Sequence, residues 1–140
     1  MKQLTEIVAQ MGGEKAPGRK NRINDIKINI IPDEDPDVSY LEQEDFADRR
    51  SEYERDGFGF VGVQAEAEIH VPFGAQWSED NWVIHHISSA GLWGIESDSD
   101  SEYFKEVAGE ELDQLKDQLG ALNVDLSNFD ELAEGAINRL

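Results

Sequence analysis

The stretch from Phe58 to Val71 constrains the fold of this chain more than any other feature. Its apolar residues occur at every second position, and the side chains of a β-strand point alternately to the two faces of a sheet. The core face would carry Val61, Val63, Ala65, Ala67, Ile69 and Val71, and the opposite face Gln64, Glu66, Glu68 and His70. Gly57, Gly59 and Gly62 indicate a bulge or a close backbone approach near the start of this strand.

Three further stretches predict the other strands of the same sheet. Ile26, Ile28 and Ile30 alternate with polar residues, and Pro32 ends the pattern. Trp82–Ser88 follows a hairpin loop over Pro72–Asn81, and Leu92–Glu96 follows the short connection Ser89-Ala90-Gly91. The last three strands in sequence predict an antiparallel meander, to which the strand around Ile26 is added.

Sequence patterns typical of helices occur near the two ends of the chain and in one charged segment. An N-terminal helix is predicted from apolar residues three and four positions apart, namely Leu4, Ile7, Val8 and Met11. Capping-box patterns at Ser39/Glu42 and Ser99/Glu102 predict a charged surface helix to Asp56 and a long helix that stops at Gly120. Ser127 is predicted to cap the last helix. The predicted fold is therefore α+β, a twisted antiparallel sheet of about four strands with helices on one face.

The domain organisation follows from length and from the position of charge. A chain of 140 residues is the size of one domain. Gly12 to Asn24 is polar and basic, and it contains Gly and Pro, so 1–24 is interpreted as a helix with a flexible linker and 25–140 as a single acidic domain. No apolar run reaches the length of a membrane helix, and no signal peptide is recognised. These features predict a cytoplasmic protein.

The charge restricts the possible partners. The formal net charge is −19, and from Asp56 to Phe104 the chain has nine acidic residues and no Lys or Arg. Such a surface repels nucleic acids and anionic membranes, and it attracts basic proteins in a salt-dependent way. Solubility alone, or a salt-rich habitat, would also explain this composition.

The sequence contains no recognisable catalytic motif and predicts neither a metal site nor a cofactor. The absence of Cys excludes thiolate chemistry. His85 and His86 are adjacent on a strand and face opposite sides, so they cannot share one ion without a bulge. His70 could join one of them together with Glu66 or Glu68, which keeps a metal-binding or hydrolytic domain open as the alternative.

A short segment after the third strand combines an aromatic residue with four carboxylates. Glu96, Asp98, Asp100 and Glu102 precede a helix, whose N-terminal dipole stabilises acids, and they lack the register of a calcium loop. Trp93 is predicted to anchor the sheet against the helix that starts near Ser101, although a partner-binding corner is also compatible with the pattern.

The same segment carries a resemblance. Ser89–Asp100 contains Leu-Trp-Gly-Ile-Glu-Ser-Asp-Ser and is followed by Tyr103-Phe104 and Glu106-Val107. It resembles a family of uncharacterised small acidic proteins from bacteria and their phages, over roughly 61–119. The resemblance implies a mobile-element context, in which small acidic proteins block host nuclease defences, but fold-level analogy does not fix a function.

The sequence thus favours a non-enzymatic binding protein, an inhibitor of the anti-CRISPR or anti-restriction type. It would occupy the basic nucleic-acid-binding surface of a partner without binding nucleic acid itself. The candidate partner-binding residues are Glu66, Glu68, Glu96, Asp98, Asp100, Glu102 and Trp93.

Overall fold

The computed structural model describes residues 20–72 and 82–140, and it is an α+β fold built on a curled mixed sheet. The strands are β1 (Asn21–Pro32), β2 (Phe60–Pro72), β3 (Trp82–Ser88), β4 (Leu92–Glu96) and β5 (Val124–Asp125). The α-helices are α1 (Ala47–Glu54), α2 (Ser101–Ala121) and α3 (Phe129–Asn138), and two 3₁₀ turns, Ser39–Glu42 and Glu44–Phe46, precede α1. The predicted helix over 1–11 lies outside the described residues. Of the predicted hairpin loop Pro72–Asn81, Pro72 is the last residue of β2, and 73–81 lie outside the described residues.

The long strand β2 is the centre of the sheet, with the register that its alternation predicts. Its apolar face is buried, as at Val63, Ala65 and Ala67, which are all fully inaccessible. β1 pairs antiparallel along one edge of β2. β1 begins at Asn21, so the last four residues of the predicted linker belong to the sheet.

The predicted meander is wrong in its connectivity. β3 pairs with the later half of β2, from Glu66↔Ser88 to Pro72↔Trp82. β4 pairs with the earlier half of the same strand, from Phe60↔Glu96 to Val63↔Leu92. β3 and β4 therefore follow one another along a single edge of β2. The antiparallel description is also incomplete, since β5 pairs parallel with β1.

Two helices cover the face of the sheet that carries the apolar residues of β2. Leu112, Leu115 and Leu119 of α2 pack in one cluster with the strands and with α3, while Val107 and Ala108 pack near Val63 and Ile95. At the other end of the core, Arg139 donates to the carbonyl of Ile26 at 2.9 Å.

The segment from Ser39 to Glu54 lies on the opposite face of the sheet. Phe60 follows the alternation of β2 away from the two long helices, and it packs with Leu41 and Phe58. Several aromatic rings meet there edge to face, among them Tyr40 against Phe46. This second small core means that helical structure is present on both faces at the start of β2.

The three predicted serine caps are wrong. Ser39 begins a 3₁₀ turn with no side-chain cap, rather than a continuous helix to Asp56. Asp100, not Ser99, caps α2 and accepts from the amide of Tyr103 at 2.8 Å. Asn128 precedes α3 without a side-chain cap. α2 also continues one residue past Gly120, to Ala121.

Candidate partner-binding site

Glu66 and Glu68 lie in the middle of the sheet face that the long helices leave uncovered. Glu66 accepts a hydrogen bond from the side-chain amide Nδ2 of Asn29 at 2.9 Å, and Glu68 accepts one from the side-chain amide of Asn24. Only 24% and 28% of their side chains are exposed. The two carboxylates are therefore held against β1 by neutral donors, which reduces what they present to a partner.

The histidines lie where the alternation places them. His86 is opposite Glu68 and contacts Glu66 through Nδ1 at 3.0 Å, whereas His85 is opposite Ile69 and faces the other way. His70 Nε2 is 3.8 Å from a Glu68 oxygen. Within 20–72 and 82–140, no group of three or more His, Asp and Glu side chains is placed to hold a metal ion.

Trp93 does not anchor the sheet against α2. Gly94 adopts a positive φ of 76°, and β4 has an irregular register opposite Val61–Val63. This irregularity places the indole ring over Gly62, on the face away from the long helices. An added Cβ at Gly62 would lie 2.3 Å from that ring, which confirms the predicted close approach at this glycine. The indole N–H donates to the carbonyl of Ala90 at 3.1 Å.

Arg49 neutralises part of the predicted acidic cluster. Its guanidinium is 2.6 Å from Glu96 and 2.8 Å from Asp98, and it also pairs with Glu52. The hydrogen bond from Arg49 lowers the pKa of Asp98 below its ordinary value. Glu96 and Asp98 thus fix the Ser39–Glu54 segment to β4, which is a structural use of two residues predicted to bind a partner.

The hydroxyl of Tyr40 adds a second tie to the same carboxylate. It donates to Glu96, and burial together with this neighbouring charge raises the pKa of Tyr40. Sequence reasoning missed both Arg49 and Tyr40, since the contacts join positions 47 and 56 residues apart. No local pattern signals such a pairing.

The predicted acidic residues therefore do not form one surface. Glu96 is opposite Phe60 on β2, six residues from Glu66, which corresponds to about 20 Å along a strand. Trp93 lies between the two groups on the same face. Asp100 is committed to capping α2, and Glu102 is exposed in the first turn of that helix.

Glu102 is the first of five exposed carboxylates that sequence reasoning did not group together. They lie three and four residues apart along α2, and all are exposed: Glu102, Glu106, Glu110, Asp113 and Asp117. Residues at this spacing share one side of a helix, and the buried residues Val107, Leu115 and Leu119 occupy the other side. We call these five residues the α2 ridge. Counting acidic residues three and four positions apart in the sequence would have found it.

The α2 ridge has few compensating charges. Lys116, on the flank of α2, pairs with Asp130 of α3 at 3.3 Å. No ion pair or side-chain hydrogen bond joins any of the five carboxylates to another residue in the described part of the chain. Their spacing of about 5–6 Å extends over about 22 Å of helix.

The connection between β3 and β4 is anchored to the helix behind it. Glu111 is 7% exposed and accepts from the Ser89 hydroxyl and the Gly91 amide, each at 2.8 Å. Ser89 in turn accepts from the amide of Ala65 at 3.0 Å. These contacts fix α2, and with it the α2 ridge, relative to the corner that carries Trp93.

Comparison with protein-family models, with curated proteins and with solved structures finds no match to this chain.

Proposed function

We propose that this protein is a non-enzymatic acidic binding protein that occupies a basic, nucleic-acid-binding surface of a partner through the α2 ridge. The partner class is a nucleic-acid-directed defence system of the host, and the inhibitor belongs to a phage or mobile element. The sequence resemblance suggests this biological context, and the geometry of the ridge suggests the mode of binding.

The observation that carries the proposal is the uninterrupted row of like charges. Carboxylates four residues apart on a helix repel one another and destabilise it by about 0.2–0.5 kcal/mol per pair. A solvated helix face usually mixes acidic and basic residues. The α2 ridge is acidic at all five positions, and the two bases of the helix, Lys105 and Lys116, lie beside it without pairing with it. A row of negative charge that lowers stability is consistent with selection for binding.

The density of negative charge along the α2 ridge is comparable to that along a DNA strand. Its charges recur every 5–6 Å, which is of the same order as the one phosphate per about 3.4 Å of rise along a DNA strand. Arg and Lys side chains on a partner that neutralise phosphates can pair with carboxylates in the same arrangement. The field of the whole molecule, with a net charge of −19, increases the rate of association with such a surface.

The test begins with a partner captured from a lysate of host cells and asks whether this protein and nucleic acid compete for it. We expect mutually exclusive binding, with an affinity that falls as salt concentration rises. The variant Glu102→Gln/Glu106→Gln/Glu110→Gln should bind roughly tenfold or more weakly, because it removes three charges at the contact.

The matched control removes the same amount of charge elsewhere. Glu34, Glu44 and Glu54 are exposed and lie outside the α2 ridge, and their replacement by Gln should leave the affinity nearly unchanged. Simultaneous binding of this protein and nucleic acid to the partner would contradict the proposal. Equal losses in the two variants would assign the binding to net charge rather than to the α2 ridge.

A further inference from the structure

A shallow depression of about 380 Å³ lies beside β4, close to the start of α2. Its walls include three aromatic residues from separate parts of the chain, Tyr40, Trp93 and Tyr103. The other lining residues are Leu92, Gly94, Ile95, Glu96 and Ser99. The volume is at the lower end of the range for small-ligand sites, about 300–1,000 Å³, which suits one side chain rather than a large ligand.

Two of the three aromatic rings of this depression are accessible. Trp93 is 44% exposed and Tyr103 is 41% exposed, although large aromatic side chains are usually more buried. One side of the Trp93 ring rests on Gly62, which holds the ring in place. Ring faces carry negative electrostatic potential and attract cations.

The charged groups around the rings favour a cation as well. Glu96 lines the depression, and Asp33 reaches the same strand, where it accepts from the amide of Gly94 at 2.9 Å. The nearby cation, Arg49, already contacts three carboxylates, those of Glu52, Glu96 and Asp98. Its single positive charge leaves this corner with an excess of negative charge.

We propose that the depression binds one arginine side chain of the partner, with its guanidinium stacked on the aromatic rings. Guanidinium is planar, weakly hydrated and stacks on aromatic faces, which distinguishes it from the ammonium of lysine. The inference rests on the proposed function in one respect: the partner surface that meets the α2 ridge is basic, and Tyr103 lies next to Glu102 at the start of that ridge.

The test uses the full chain and blocked tripeptides with a central arginine, lysine or citrulline, the last being a neutral isostere of arginine. In ¹⁵N-resolved NMR, we expect the arginine peptide to shift the indole N–H signal of Trp93 and backbone signals of Leu92–Glu96. The lysine peptide should bind more weakly at the same place, and the citrulline peptide should cause no saturable shift. Equal shifts with citrulline, or arginine-induced shifts elsewhere only, would overturn the proposal.

Two variants distinguish the contribution of the Tyr103 ring to arginine binding from an effect on folding. Tyr103→Phe keeps the ring and should retain arginine binding, whereas Tyr103→Ser should weaken it about two- to fivefold, the effect of one exposed cation–π contact. Because Tyr103 is exposed, we expect both substitutions to leave the fold intact. NMR signals that are unchanged away from position 103 will show this. Equal arginine affinity in the two variants would show that the Tyr103 ring does not contact the guanidinium, and it would overturn the proposed aromatic site.

The outcome is independent of the competition assay with nucleic acid. Arginine binding at this depression, combined with simultaneous binding of nucleic acid to the partner, would keep the site and reject the proposed function. Competition that depends on the α2 ridge, without any arginine binding here, would reject the site alone.

Discussion

At the scale of single residues, Gly62 determines where Trp93 lies. Trp93 packs directly on the Gly62 backbone, and a Cβ at this position would be only 2.3 Å from the indole ring. Real side chains do not approach so closely, so either the ring or the strand has to move. The exposed aromatic corner therefore depends on a glycine on the neighbouring strand.

The first prediction tests this dependence. Gly62→Ala should lower the free energy of unfolding by about 1–3 kcal/mol through overpacking. Gly109 is the control, because it lies within α2 and an added Cβ there meets nothing within 4 Å. Gly109→Ala should stabilise the protein by about 0.5–1 kcal/mol, since alanine is the better helix former. Urea unfolding of both variants measures the difference, and an unchanged stability in Gly62→Ala would mean that Trp93 does not rest on this glycine.

The helix caps show why some residue assignments fail from sequence. Ser39 and Ser127 each follow an Asp by two positions, and in both cases the Asp carboxylate accepts the amide of the Ser. The hydrogen bonds from the side chain and the amide of Ser39 lower the pKa of Asp37, and those from the amide and the side chain of Ser127 lower the pKa of Asp125. The serine is then part of an Asx turn before the helix rather than its cap. A capping pattern does not show which of several nearby acceptors will bind the helix.

At the scale of elements, periodicity predicted the strands well but not their partners. The alternation of β2 identifies its buried face because the spacing of side chains along a strand is fixed. The position of β4 depends on Ser89, Ala90 and Gly91. The buried Glu111 of α2 holds Ser89 and Gly91, and Gln114 of the same helix accepts from the amide of Ala90. Gly91 has a φ of 90° there. Contacts between elements so distant in sequence leave no periodic signal, so the sequence alone predicts that consecutive strands are neighbours.

The Arg49 contacts give a second prediction, since they join the Ser39–Glu54 segment to β4. The pKa of Asp98 is lower in the folded protein than its ordinary value of 3.8, because of the hydrogen bond from Arg49. The ionised pair therefore stabilises the fold above that value, and the contribution is lost as the pH falls through the folded-state pKa. Asp98→Asn should lower stability at pH 7 by less than about 1 kcal/mol, as expected for an exposed ion pair.

The pH profile of unfolding checks this assignment. The difference between the natural protein and Asp98→Asn should be constant near neutrality and should shrink below about pH 4. Glu54→Gln is the control, because Glu54 lies exposed on the same segment, and it should stay within about 0.5 kcal/mol of the natural protein at pH 7. A difference that grows toward acidic pH would contradict the role given to Arg49.

At the scale of the whole molecule, composition predicted the sign of the charge but not its distribution. The acids named from sequence are mostly paired, as Glu66 is with Asn29 and Asp98 with Arg49. The unpaired row lies instead on α2. Of its five carboxylates, only Glu102 belongs to the acidic run before the helix that the sequence singles out. The structure thus places a row of five uncompensated carboxylates along one helix face.

The last prediction asks whether this charge supports the fold or acts against it. Glu106→Gln/Glu110→Gln/Asp113→Asn/Asp117→Asn changes the net charge from −19 to −15 and removes four like-charge contacts at spacings of three or four residues, including that between Glu102 and Glu106. At about 0.01 M salt, the variant should be more stable than the natural protein by roughly 0.8–2 kcal/mol. At about 1 M salt, where the Debye length is about 3 Å, the difference should nearly vanish.

Glu102 is left unchanged because an acid in the first turn stabilises the helix. Urea, which is uncharged, is the denaturant for this comparison. Lower stability in the variant at low salt would mean that the carboxylates make stabilising contacts within the protein, and the argument that the α2 ridge exists for a partner would then fail.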